Sequence, residues 1–226
     1  MSVELDSDVS GLGFDSVERT GTESTIGAME TLRYLETNAS LNAYTAVAVR
    51  EAVRHIVGVQ FRNCATVGGS IYGRFGFSDV LTMFLVLDAQ VELYKGGIVP
   101  LSEYAERPKD RDILVRVIVP KRKAKFNYQS VRISQTDIPV LTCASVKDEN
   151  GYRFAIGARP ARAQIYAQPV DKTAEQMAEV VRADIKTGSS LRGRAEYRRH
   201  LPGVLVRRAA HALDPASGGT VYLSPL

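Results

Sequence analysis

Two adjacent glycines, Gly68 and Gly69, end an apolar run and constrain this chain more than any other feature. Glycine lacks a Cβ, so paired glycines mark a place where the backbone turns tightly or approaches another group closely. The polar pair Ser78-Asp79, typical of a helix start, follows shortly afterwards. This layout predicts a buried backbone loop that grips a large, flat, phosphorylated ligand, although paired glycines also occur at simple bends.

The composition limits the class of protein. With 226 residues, 45% of them hydrophobic, the chain has enough apolar surface for two small domains. A net charge of +4 is too small to imply a nucleic-acid partner, and two cysteines are too few for an iron–sulfur cluster. Neither a signal peptide nor an apolar run long enough to span a membrane is visible, so we expect reduced thiols and a cytoplasmic location.

The first half of the chain mixes helical and strand patterns. Helices are predicted near 31–36 and over 49–56, where apolar residues recur at helical spacing, and a further helix after Ser78. The alternation over 90–94 and the glycines at 96–97 predict a hairpin. A strand over 113–119 ends this half.

Pro120 and the basic residues after it predict a boundary between a domain over 1–119 and a second over 120–226. Strands are predicted over 126–133, 140–147 and 152–158, the last two joined by an Asn-Gly turn. Two helices follow. Thr173 with Gln176 predicts a capping box, and Pro202 predicts a kink or a late start in the last helix. The fold class is therefore α+β.

No residue pattern supports catalysis by the chain alone. The chain lacks the Rossmann glycine fingerprint, the Walker A loop and the Gly-x-Ser-x-Gly nucleophile elbow. Its three histidines show no metal-ligand spacing. Any chemistry would therefore come from a bound cofactor, which the protein orients and surrounds with charge.

Three separated segments carry a resemblance in the right order: 25–32, then 62–71 with Ser78-Asp79, then 195–208. Together they resemble the FAD-binding (medium) subunit of molybdenum hydroxylases, a group that includes xanthine dehydrogenase and carbon monoxide dehydrogenase. The resemblance implies a partial FAD-binding domain of the molybdopterin dehydrogenase type. A small antiparallel sheet with helices would follow, as in the carbon monoxide dehydrogenase flavoprotein.

The resemblance also implies which residues contact the cofactor. The family's glycine motif corresponds to Thr66, Val67, Gly68 and Gly69, whose backbone groups would hold FAD. Ser70 stands where the family usually has Asn, and it offers a hydroxyl of shorter reach. Without side chains at the glycines, main-chain amides could come close to the pyrophosphate or the ribityl chain.

Three further residues match cofactor contacts of the family, each with a simpler explanation beside it. Asp79 matches an acidic residue that contacts polar groups of the cofactor, and helix capping also explains it. Leu114 matches an apolar residue beside the flavin, and strand burial also explains it. Tyr128 matches an aromatic near the isoalloxazine ring, and a core position would explain it as well.

For function, the resemblance implies electron transfer from 2Fe–2S clusters of a small subunit through FAD to NAD or another acceptor. A large molybdopterin subunit would hydroxylate the substrate, and no residue of this chain would act as catalytic acid, base or nucleophile. Family members begin with a further segment that wraps the pyrophosphate, so we expect the FAD-binding domain here to be N-terminally incomplete. The alternative is a truncated scaffold or interaction subunit that does not bind FAD on its own.

Overall fold

The computed structural model describes residues 13–108 and 110–214. The first part contains an antiparallel sheet of five strands among these residues. The strands are β1 (Val17–Arg19), β2 (Glu23–Gly27), β3 (Gln90–Leu93), β4 (Gly97–Pro100) and β5 (Leu114–Pro120). Their order in the sheet is β1-β2-β5-β3-β4, and β3 and β4 form the predicted hairpin.

Helices cover this sheet and form the first hydrophobic core with it. They are α1 (Leu32–Thr37), α2 (Ala39–Tyr44), α3 (Ala48–Val53), α4 (Val59–Cys64), α5 (Val67–Tyr72), α6 (Asp79–Val86) and α7 (Leu101–Glu106). The helices predicted near 31–36, over 49–56 and after Ser78 are confirmed by α1, α3 and α6. The Ser78 hydroxyl accepts a hydrogen bond from the Leu81 amide at 3.1 Å and so caps α6.

The structure corrects the loop that was predicted at the paired glycines. Gly68 and Gly69 lie in the first turn of helix α5. Thr66 has an extended backbone conformation, and its hydroxyl accepts the Gly69 amide at 3.1 Å, which starts the helix in spite of the glycines.

The second part is an antiparallel sheet with two helices packed on it. The strands β6 (Lys125–Val131), β7 (Leu141–Asp148), β8 (Gly151–Gly157) and β9 (Gln164–Gln168) follow one another in the sheet. The predicted Asn-Gly turn joins β7 and β8, and Gly151 has a φ of 122° there. Helices α8 (Ala174–Asp184) and α9 (Ala195–Leu213) complete this part, and Thr173 with Gln176 forms the predicted capping box.

Two features of the second part differ from the sequence prediction. Strand β9 was missed because it is short and carries glutamines at both ends. Helix α9 begins at Ala195 and continues through Pro202, which excludes the late start and leaves the predicted kink untested. Its first turns are anchored by the buried Arg198, whose guanidinium donates to the carbonyls of Val140, Gly188 and Gly193. These tertiary bonds offset the cost of proline in a helix.

The second sheet lies between two hydrophobic cores. Along β7, Ala144 and Val146 belong to the first core, whereas Leu141 and Cys143 belong to the second, under α8 and α9. This alternation is the two-residue period of a strand that is buried on both faces. The change from the first sheet to the second falls after Pro120, but the division into domains over 1–119 and 120–226 stays a prediction.

Candidate functional site

A cleft of about 420 Å³ opens where helices α5 and α6 face the segment that follows strand β6. One side, the glycine wall, is the surface of segments 65–70 and 78–80, and Ala65, Thr66, Gly69, Ser70, Ser78, Asp79 and Val80 line the cleft there. The other side, the charged wall, consists of Arg132 and residues 136–139. Large apolar side chains complete the lining: Ile56, Val57, Phe61, Phe75, Phe77 and Ile138. A concave, mostly apolar site with a few convergent polar groups is typical of a small-molecule or cofactor site.

The two glycines have different roles in the glycine wall. A Cβ added at Gly68 would lie 2.7 Å from the Cβ and the carbonyl oxygen of Ala28, so only glycine lets α5 pack there. A Cβ at Gly69 would meet only the Thr66 hydroxyl, at 3.1 Å. Gly69 therefore exposes bare backbone to the cleft, whereas Gly68 serves helix packing.

The backbone amides of this motif already have acceptors inside the protein. The amides of Val67 and Gly68 donate to the carbonyls of Glu30 and Ala28, both at 2.8 Å. The Gly69 amide donates to the Thr66 hydroxyl, and the Ser70 amide to the Thr66 carbonyl. These four amides therefore hold α5 in place, and a phosphate could recruit the Gly69 amide only by displacing the hydroxyl of Thr66.

A buried ionic network ties the two walls together. An Arg132 amino group donates to Asp79 Oδ1 at 2.5 Å, and the Tyr128 hydroxyl donates to the same oxygen. Arg132 also donates to the carbonyl of Asp137 at 2.5 Å. The side chains of Arg132 and Asp79 are 7% and 6% exposed, so the pair is nearly withdrawn from water.

Burial sets the protonation behaviour of this network. It raises the pKa of the Asp79 carboxyl above its ordinary value, although Arg132 and the Tyr128 hydrogen bond oppose the change. Burial and the neighbouring Asp79 raise the pKa of Tyr128 well above its usual range, so this phenol stays neutral. Nearby, burial together with the charges of Arg54 and Arg132 lowers the pKa of His55. Among the described residues that line the cleft, Arg132 is the one Lys or Arg side chain.

The eight residues predicted from the sequence fall into three groups. Thr66, Gly69, Ser70 and Asp79 line the cleft. Val67 and Gly68 are buried directly behind it. Tyr128 is buried and reaches the cleft through its hydrogen bond to Asp79, and Leu114 lies in the first core at the start of β5.

The sequence reasoning missed Arg132 and the two phenylalanines Phe75 and Phe77. Arg132 follows strand β6, and a lone arginine beyond a strand carries no local signal. The phenylalanines stand between the glycine motif and Ser78, where two aromatics in a glycine-rich stretch could have been noticed.

The lining suits the flat, apolar part of FAD. Gly69 provides a floor without a side chain, and the surrounding aliphatic and aromatic side chains suit a planar ring system. Thr66 and Ser70 add hydroxyl groups, and Arg132 adds positive charge beside them. The amides of Val67, Gly68, Gly69 and Ser70 all donate inside the protein, so none of these four is free for the pyrophosphate.

Residues 7–122 match the family described as FAD binding domain in molybdopterin dehydrogenase. The chain belongs to this family.

Two relatives of the chain come from Escherichia coli. The chain is 29% identical to YgfM of Escherichia coli K12 over 185 residues, which is 80% of this chain and 69% of YgfM. It is also 29% identical to the xanthine dehydrogenase FAD-binding subunit of Escherichia coli O157:H7, covering 76% of this chain and 68% of that subunit.

Solved structures share the fold, which confirms the α+β prediction. A chain of quinoline 2-oxidoreductase from Pseudomonas putida 86 superposes with a TM-score of 0.79 at 18% identity, covering 90% of this chain and 79% of that one. A chain of carbon monoxide dehydrogenase from Hydrogenophaga pseudoflava gives 0.78 at 21% identity, covering 91% and 79%. In the described part of the chain, no helix combines the length and apolar character that crossing a membrane requires.

Proposed function

We propose that this chain is the FAD-binding electron-transfer subunit of a molybdenum hydroxylase. The observation that carries the proposal is the cleft: in a chain of this family, four of the eight residues that the resemblance assigned to FAD line one concave site. The domain division at residue 120 belongs to the same proposal.

In this proposal, the residues that line the cleft make different contacts with FAD. Gly69 would allow close approach of the ring system, and the hydroxyls of Thr66 and Ser70 would contact polar groups of the cofactor. Arg132 would supply positive charge, held in position by Asp79. The apolar side chains of the cleft would exclude water.

Val67, Gly68, Leu114 and Tyr128 would act from behind the cleft. Val67 and Gly68 hold helix α5 in place through the hydrogen bonds that their backbone amides donate. Leu114 supports the first core, and Tyr128 orients Asp79. None of these residues needs to touch the cofactor to set the shape of its site.

Bound FAD supplies the exchange between one-electron and two-electron carriers. We propose that its electrons come from 2Fe–2S clusters of a small subunit and leave to NAD or another acceptor, with a large molybdopterin subunit acting on a xanthine-dehydrogenase-type substrate. In this scheme the chain's own residues bind and orient the flavin and keep water from it. They perform no acid–base step on the organic substrate.

The test is the flavin content of the native complex, purified with its partner subunits. The proposal predicts flavin absorbance in the blue and near ultraviolet and release of one FAD for each copy of this chain on denaturation. A colourless complex that releases no FAD would contradict the proposal.

A second candidate function is a scaffold subunit that has no FAD. The observation that favours it is the full use of the four motif amides inside the protein, since charge-assisted bonds to phosphate each contribute about 1.5–3 kcal/mol. Complex assembly that proceeds normally without any flavin would support this reading.

A further inference from the structure

Two phenylalanine rings stand at the rim of the cleft and remain half exposed. The side chains of Phe75 and Phe77 are 48% and 45% exposed, and both line the cleft. Their centroids are 5.2 Å apart, and their planes differ by only 13°. The rings therefore form a short, nearly parallel stack at the edge of the candidate FAD site.

The segment that carries these rings is anchored firmly on both sides. Arg74 is buried, and its Nε donates to the carbonyl of Tyr104 at 3.1 Å. Its guanidinium also lies 4.0 Å from the centre of the Tyr104 ring. Arg74 has a φ of 49°, a strained conformation that persists only where the surroundings enforce it.

Glycines let the segment pack closely on its neighbours. A Cβ at Gly73 would lie 2.4 Å from the Phe75 ring, so this glycine makes room for that ring. A Cβ at Gly76 would lie 2.0 Å from the carbonyl oxygen of Ala161. The Gly76 carbonyl accepts a hydrogen bond from the Ala158 amide at 2.7 Å, which ties the segment to the second sheet.

The next residue fixes the segment to the glycine wall. The Ser78 hydroxyl donates to the carbonyl of Ser70 at 2.8 Å, and the Ser78 amide donates to the carbonyl of Phe75 at 3.0 Å. The rings are thus exposed on a rigid support. Apolar groups presented in this way mark a binding site rather than a loose surface loop, because preorganisation lowers the cost of binding.

We propose that Phe75 and Phe77 form a stacking surface for a flat ring system of the bound dinucleotide. The inference rests on the proposed function and adds positioning residues that the glycine motif does not include. The two near-parallel rings line the cleft together with Gly69, and a planar ring of the ligand can pack against them. The same chemistry fits the isoalloxazine or the adenine of FAD.

The experiment measures dissociation constants of the purified full chain for FAD, FMN and ADP. The variants are Phe75→Ala and Phe77→Ala, and the control is Tyr94→Ala, because Tyr94 is 71% exposed outside the cleft. Loss of aromatic stacking is expected to weaken FAD binding about 5- to 150-fold. The control should bind FAD as the wild type does.

Binding of FMN and of ADP shows which ring of FAD lies against the two phenylalanines. Weaker FMN binding with unchanged ADP binding assigns the stack to isoalloxazine, and the opposite result assigns it to adenine. A second readout uses the absence of tryptophan from the chain. In Phe77→Trp, emission should be quenched when the stacking probe binds, whereas Tyr94→Trp should show no quenching.

Failure of this inference is distinct from failure of the proposed function. Wild-type FAD binding that both alanine variants retain would overturn the stacking role and leave the function intact. If these variants instead lose assembly with partner subunits, the rings belong to a protein interface and the inference is wrong. A wild-type chain that binds none of the three probes would overturn the stacking inference, whereas the proposed function is overturned only if the native complex also releases no FAD.

Discussion

The glycine wall and the charged wall face each other across one cleft, but different interactions hold them. The glycine wall is built from helix caps at Thr66 and Ser78 and from a close backbone contact between Gly68 and Ala28. The charged wall depends on Arg132, which follows strand β6 of the second sheet and pairs with Asp79 on helix α6. Helix caps and backbone contacts therefore fix the shape of one side, whereas a side-chain ion pair fixes the charge on the other.

The largest expected effect comes from breaking the charged wall with Arg132→Met. This change leaves Asp79 buried without its cation, which should lower the free energy of unfolding by about 3–5 kcal/mol. Urea denaturation measures the loss. The control is Arg107→Met, which removes an exposed pair with Glu103 and should cost less than about 1 kcal/mol. Equal losses in the two variants would show that the buried pair has no special role.

Gly68→Ala tests the packing of the glycine wall. The new Cβ would press on Ala28, so the free energy of unfolding should fall by about 1–3 kcal/mol, as in overpacked cores. Gly69→Ala is the matched control in the same helical turn, and it should change stability by less than about 1 kcal/mol, since alanine favours helix. If Gly69→Ala proved the more harmful change, the assignment of the two glycines would be reversed.

Ser78→Ala should cost about 1–2 kcal/mol of unfolding free energy, because it removes a helix cap. The same hydroxyl also bonds the Ser70 carbonyl and so joins α6 to α5. Thr173→Ala removes a cap from α8 and serves as the comparison. Thermal unfolding should show the greater loss for Ser78→Ala; a greater loss for Thr173→Ala would argue against the link between α5 and α6.

The smallest effect concerns pH and an exposed charge cluster. Burial raises the pKa of Asp88, but the hydrogen bonds and charges of Arg153 and Arg122 outweigh this, and the pKa falls below its ordinary value of 3.8. A lowered carboxyl pKa stabilises the fold above pH 3.8, and this stability is lost as the pH falls through the lower, folded-state value.

Because Asp88 is 40% exposed, the contribution should stay below about 1 kcal/mol. Stability measured from neutral pH into the acid range should fall more for the wild type than for Asp88→Asn. If the free energy of unfolding fell equally with pH in the two proteins, Asp88 would make no contribution to the acid sensitivity of the fold.

The difference between the walls also explains what the sequence could predict. The caps at Ser78 and Thr173 and the Asn150-Gly151 turn are local patterns, and each was predicted correctly. The helical state of Gly68 and Gly69 was not, because the Thr66 cap and the contact with Ala28 override the low helix propensity of glycine.

The tertiary contacts of the site could not be predicted from the sequence. Arg132 and Asp79 are 53 residues apart, and no pattern in either segment links them. The stack of Phe75 and Phe77 depends on the backbone conformation of the segment around Arg74, which no sequence pattern indicates. In contrast, the fold class and the family followed from motif order, because those motifs stand in contiguous segments.

In the proposed function, FAD lies in the cleft above Gly69. The most direct measurement is the FAD dissociation constant of the full chain against that of Gly69→Leu, with circular dichroism to confirm that both are folded. A leucine side chain would project from the cleft floor into the space proposed for the ring system. We expect the wild type to bind FAD and the folded variant to bind it at least about tenfold more weakly, a difference of about 1.4 kcal/mol. Equal affinities in two folded proteins would contradict it.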